Sequence, residues 1–117
     1  LPLFNHGEMR RDFTFIDDCV SSIVVGIERL VTGTVRDTTF NIATGHGYTL
    51  EDVVQLIALT LATEPRVEYL PSRAGEITHY IADISKAQRL LRYNPQTKIE
   101  DGIPKFVEWF LKTIKFG

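Results

Sequence analysis

Apolar residues recur along this chain with two different periods. Val20, Ile23, Val24, Ile27 and Leu30 are spaced to line one face of a helix at 3.6 residues per turn. A second stripe runs through Leu50, Val53, Val54, Ile57 and Leu61, and a third through Ile103, Phe106, Val107, Phe110 and Ile114. Ile84, Ala87 and Leu90 predict a shorter helix with those residues inward. Phe13 and Phe15 alternate with Thr14 and Ile16, and Phe40 and Ile42 flank Asn41. These read as two short strands, with a third from Val67 to Leu70 and an extended piece at Tyr80 and Ala82. Helices and short strands mixed in this way predict an α+β (mixed α/β) domain.

The boundaries follow from capping chemistry. Asp17 and Asp18 predict the N-cap of the first helix and Gly33 its stop. Thr49 and Asp52 form a capping-box pattern with Asp in the place of Glu, and Tyr48 stands where it staples onto Val53. Asp83 or Ser85 caps the short helix, and Asn94-Pro95 breaks it. Thr97 and Glu100 resemble another capping box, but a helix starting there leaves Pro104 inside it, at a cost of about 3 kcal/mol. A start near Asp101 keeps Pro104 in the tolerant first turn.

Composition narrows the function classes. The 117 residues are 44% hydrophobic and 24% charged, enough for a folded core without disulfides. A net charge of −2 gives no field for nucleic acid or an anionic membrane, so an anion must be met by a local arginine cluster. The single cysteine, Cys19, excludes an internal disulfide and suits a reducing, cytoplasmic compartment. No apolar run reaches the roughly 18–20 residues of a membrane span. The opening Leu1-Pro2-Leu3-Phe4 has neither Met nor a capping signal, and the chain reads as a piece of a longer protein.

Candidate chemistry concentrates on arginines. Arg10 and Arg11 enter the first strand, and Arg73 lies on the polar loop Pro71 to Thr78. Two guanidiniums arriving from distant loops can clamp a diphosphate, because the planar fork matches phosphate oxygens. From spacing alone, surface arginines paired with Asp12 or Glu76 are the simpler reading. Glu76 can accept hydrogen bonds from ribose or sugar hydroxyls, although by pattern it is a solvated loop acid. Asn41 reads as a turn brace and Cys19 as a small packed residue. His6, His46 and His79 lie in separate segments without metal-ligand spacing. No tyrosine has a lysine four residues on, and no G-x-x-G-x-x-G occurs, so a nicotinamide site is not encoded.

Five motifs occur in a fixed order. RRDFTFIDD (10–18) looks like the R-D-F-x-Y-x-D-D segment of extended short-chain dehydrogenases, the NAD-dependent sugar-nucleotide epimerases and dehydratases. FNIATG (40–45) is similar to their Y-N-I-G-x-G turn, and YLPSRAGEI (69–77) to their L-P-x-R-x-G-D loop. ADISKAQRLLRYNP (82–95) and EDGIPKFVEWF (100–110) resemble their last two segments. The ordered set covers nearly the whole chain and outweighs the bland readings of Arg11, Arg73 and Glu76.

The resemblance implies that residues 1–117 form one C-terminal substrate-binding domain without the NAD-binding Rossmann half. Arg11 and Arg73 would contact the nucleotide diphosphate from two sides. Glu76, where the family usually has Asp, would hold a ribose hydroxyl. NAD and the catalytic Tyr/Lys pair would belong to the other half of a homodimeric parent. Phe4-Asn5-His6-Gly7-Glu8-Met9 looks most like UDP-glucuronate 4-epimerases, so the implied substrate is a UDP-sugar, UDP-glucuronate or UDP-glucose/galactose. A 4,6-dehydratase or decarboxylase of the same fold, a non-catalytic sugar-nucleotide-binding module and a purely structural domain are the alternatives.

Overall fold

The computed structural model describes residues 1–114. Among these, five strands of two residues each combine with four α-helices and a short 3-10 turn at Phe4–Gly7. The strands are β1 (Pro2–Leu3), β2 (Arg10–Arg11), β3 (Tyr48–Thr49), β4 (Glu68–Tyr69) and β5 (His79–Tyr80). The helices are α1 (Ile16–Val31), α2 (Leu50–Leu61), α3 (Ser85–Leu91) and α4 (Ile99–Thr113). β1 runs parallel to β4 with Leu3 opposite Tyr69. β2 lies between antiparallel β3 and parallel β5, so that Arg10 faces Thr49 on one side and His79 on the other. The architecture is the mixed α/β one that the sequence predicts.

α2 begins where its capping box directs. The Asp52 N–H donates to the Thr49 hydroxyl at 3.0 Å, and the Thr49 N–H donates to the Asp52 carboxylate at 2.9 Å, which satisfies two helix-end donors reciprocally. Val54 and Ala58 turn inward against α4, which buries Ile99, Gly102 and Val107. The largest buried cluster joins Ala43, Ile84, Ala87, Leu91 and Tyr93, with Phe40 and Ile42 packed against it. The Tyr93 hydroxyl donates to the Ala43 carbonyl at 2.9 Å. Burial, and then the nearby Asp18 and Asp12 carboxylates, push its phenol pKa up.

Several expectations fail on packing grounds. Residues 13–15 run extended but pair with no strand, and α1 already starts at Ile16. Phe40 and Ile42 likewise join no ladder among the described residues, although they still pack on the core. Asp17 and Asp18 do not cap α1, whose N-cap is Phe15. Asp18 is buried instead, accepting the N–H groups of Gln96 at 2.9 Å and Thr97 at 3.0 Å. Leu91, not Leu90, is the buried end of α3. α4 starts at Ile99, because the Lys98 carbonyl accepts from both Asp101 and Gly102. Pro104 thus lies inside the helix, where only the bond to the Glu100 carbonyl is forfeited.

The largest departure concerns α1. Its apolar stripe, Val20, Ile23, Val24, Ile27 and Leu30, is about half exposed throughout, between 49% and 59%, while Asp18 and Ser22 are buried. The helix shows its polar edge to this chain and its apolar face to solvent. The total accessible surface is 8458 Å², whereas a compact protein of this mass exposes about 6,450 Å². The radius of gyration is 17.2 Å against about 13 Å for a compact chain of this length.

Two outcomes follow for stability. Asp52 is held below its ordinary carboxylate value, chiefly by hydrogen bonding to the Thr49 side chain and then to its backbone N–H. A lowered folded value stabilises fully above the unfolded pKa and is lost as pH falls through the folded one, so the box holds at neutral pH and weakens in acid. Thr49→Ala should cost about 1 kcal/mol in urea unfolding and move the Asp52 midpoint, followed by carboxyl NMR, up toward the ordinary value, the backbone N–H at position 49 keeping part of the lowering; an unmoved midpoint would contradict this. Tyr93→Phe should cost about 1–3 kcal/mol by leaving the Ala43 carbonyl unpaired, and an unchanged urea midpoint would contradict that.

Candidate functional site

The residue after β2 fixes everything around it. Asp12 Oδ1 accepts from the Thr44 N–H at 2.8 Å and from the Thr44 hydroxyl at 2.5 Å. Its Oδ2 accepts from the Gly45 N–H at 2.8 Å and the Ala82 N–H at 3.4 Å. The Asp12 N–H donates to the Tyr80 carbonyl at 3.1 Å. One carboxylate thereby joins the end of β2 to the 43–45 turn and to the segment after β5. Gly45 adopts φ 74 in that turn, a left-handed conformation natural to glycine.

With β2 held, Arg11 has a defined course. Its Nη1 donates to the Ile77 and Arg10 carbonyls, both at 2.9 Å, and its Nη2 lies 3.8 Å from Met9 Sδ. Arg10 instead donates to the Gly47 carbonyl at 3.0 Å. The ion pairs with Asp12 or Glu76 are absent, and among the described residues Lys112–Glu108 is the one salt bridge. Arg11 therefore grips the end of the loop that bears Arg73 and Glu76. Carbonyl partners leave its positive charge uncompensated, as binding an anion requires.

The loop is organised by its own turn. The Glu76 N–H donates to the Arg73 carbonyl at 3.3 Å, and the Arg73 N–H donates to Glu76 Oε2 at 3.1 Å. Gly75 at the third position has φ 84, as a type II turn demands. One Glu76 oxygen is committed to this turn, and among the described residues none donates to the other. The Arg73 guanidinium lies over the Phe4 ring, 3.4 Å from its centroid. The structure thus brings Arg11 onto the 71–78 loop, where Arg73 and Glu76 share one turn. Asn41 stands apart as a brace, donating to the Asp83 carbonyl at 3.1 Å, and Cys19 is half-buried.

Sequence reasoning missed Asp12 and Phe4. Inside the RRD triplet Asp12 reads as a partner for its neighbouring arginines, whereas its side-chain partners lie more than 30 residues away. A groove of about 760 Å³ between Phe13, Thr44, His46 and residues 94–101 contains none of Arg11, Arg73 and Glu76. Its charged walls are Lys98, Glu100 and Asp101, an acidic balance that disfavours a diphosphate.

Removing the Asp12 carboxylate should loosen both segments it gathers. Asp12→Ala is expected to cost about 2–4 kcal/mol, because several N–H groups lose one acceptor together. Urea denaturation checks this, and a loss below about 1 kcal/mol, the net value of one hydrogen bond, would contradict it.

Residues 2–106 match the family model of GDP-mannose 4,6 dehydratase. The chain is 30% identical to UDP-glucuronate 4-epimerase 4 of Arabidopsis thaliana, over 92% of this chain and 27% of that protein. Its fold is similar to that of UDP-glucose 4-epimerase from Thermotoga maritima, solved with UDP-glucose. That likeness has a TM-score of 0.85 and 30% identity, over 98% of this chain and 36% of that one. It is also similar to UDP-glucuronic acid 4-epimerase from Bacillus cereus in complex with UDP-glucuronic acid and NAD. There the TM-score is 0.80 and the identity 27%, over 97% of this chain and 36% of that one. The chain spans about a third of the length of the curated relatives it matches.

Proposed function

The chain belongs to the NAD-dependent epimerase/dehydratase family, and on that premise we propose that it is the sugar-nucleotide-gripping part of a UDP-sugar 4-epimerase. The observation that carries this is the Arg11 guanidinium bonded to the Ile77 carbonyl, which ties one arginine to the loop of the other. In this reading Arg11 and Arg73 hold the two phosphates of UDP, and the open oxygen of Glu76 accepts a ribose hydroxyl. Hydrogen bonds to charged groups contribute about 1.5–3 kcal/mol each. Two arginines then account for much of the affinity and orient the sugar for the reaction.

NAD does not fit the residues present. Residues 1–117 have neither the glycine-rich turn that approaches a pyrophosphate nor a tyrosine with lysine four residues on. In the proposed parent enzyme NAD and the proton-transferring pair belong to a nucleotide-binding half outside residues 1–117. That half also accounts for the exposed face of α1. The excess surface of roughly 2,000 Å² over a compact protein of this mass exceeds the roughly 800 Å² per partner of a standard interface. The Val20–Leu30 stripe and its surroundings are then an internal face of a two-part enzyme.

A 4,6-dehydratase is the second reading, favoured by the name of the matching family model. The grip on the nucleotide is common to both, and product analysis of the parent enzyme separates them. The binding reading is tested by calorimetric titration with UDP. The wild-type chain should bind saturably, and Arg11→Ala and Arg73→Ala should each weaken binding about 10- to 100-fold. Undiminished binding by both variants, or no binding at millimolar UDP, would contradict it.

A further inference from the structure

Phe4 has no role in the function proposed above, yet its ring carries the Arg73 guanidinium at 3.4 Å. The residues that present the ring are held in an uncommon conformation. Asn5 and His6 adopt φ 48 and φ 52, and Gly7 follows at φ 77. Adjacent non-glycine residues in the left-handed region persist only where their surroundings over-determine them.

Those surroundings belong to the arginine's own loop. The His6 N–H donates to the Leu70 carbonyl at 3.2 Å, and the Leu70 N–H donates to the Leu3 carbonyl at 2.8 Å. β1 pairs with β4 immediately before the loop. Gly7 packs so closely that a Cβ there would meet Leu3 Cδ1 at 3.2 Å and Glu51 at 3.3 Å. The turn bearing Phe4 and the start of the Arg73 loop are therefore tied to each other by backbone hydrogen bonds. With its central carbon 3.4 Å from the ring centroid, the guanidinium lies within cation–π range while its N–H edge remains able to donate. Among the described residues no acceptor takes a hydrogen bond from that edge.

We infer that Phe4 is a positioning residue for Arg73. Its ring fixes the guanidinium plane before ligand arrives and leaves the N–H edge free for a diphosphate. An arginine on an exposed loop otherwise loses its rotamer freedom at the moment of binding. The inference rests on the reading of Arg73 as a diphosphate ligand.

The test is UDP affinity in a double-mutant cycle, with Phe4→Leu keeping apolar volume without a ring. Phe4→Leu should weaken UDP roughly three- to tenfold, Phe4→Tyr should restore affinity, and Phe4→Leu should have no further effect on an Arg73→Ala background. The Arg73 δ-protons should resonate upfield in the wild type, from the ring current, and return to ordinary shifts in Phe4→Leu. Ordinary wild-type shifts, unchanged affinity in Phe4→Leu, or equal losses with and without Arg73 would overturn the role, the last meaning that the ring meets the ligand itself. No wild-type binding would overturn the diphosphate reading and this inference with it. Binding that Arg73→Ala weakens and Phe4→Leu leaves alone would overturn this inference only.

Discussion

The fold depends on backbone N–H groups from distant segments being gathered onto two carboxylates. Ladders two residues long hold little by themselves, and a buried N–H without an acceptor costs as much as a lost hydrogen bond. Asp12 and Asp18 supply those acceptors. Asp12 collects Thr44, Gly45 and Ala82, and Asp18 collects Gln96 and Thr97. Between them they connect the start of α1 to the central turn, to the segment entering α3 and to the segment entering α4.

This arrangement dictates how α1 lies. Asp18 and Ser22 are buried, so the polar edge of the helix is drawn inward by its hydrogen bonds. The apolar stripe then has no choice but to face out. The same frame sets the site, because Asp12 follows Arg11 directly and holds the end of its strand. Arg11 reaches the 71–78 loop, the turn from Arg73 to Glu76 closes on itself, and Phe4 supports the guanidinium. Stability and the geometry of the proposed ligand site therefore share the residues around β2.

Local chemistry was legible in the sequence where one segment determines the outcome. The Thr49–Asp52 box and the end of α1 before Gly33 have short-range causes, whereas the strand within Val67 to Leu70 and the brace at Asn41 find their partners at Pro2–Leu3 and Asp83. The ordered motifs singled out Arg11, Arg73 and Glu76 as one site, and the structure brings Arg11 onto the loop of the other two. The hidden features are long-range. A strand as short as Arg10–Arg11 has no periodicity, and a carboxylate serving Thr97 from Asp18 leaves no local trace. A stripe such as Val20–Leu30 announces that a face is apolar but not what covers it. Pro104 points to a later start for α4, whereas the buried Ile99 and the Lys98 carbonyl fix an earlier one.

In the proposed two-part enzyme the outward face of α1 is an internal face. Amide hydrogen exchange across residues 16–31, compared between this chain and the parent protein, tests it most directly. Ready exchange is expected in the chain alone and strong protection in the parent, where the stripe is covered. Equal protection in the two would contradict it, because α1 would then owe its stability to this chain alone.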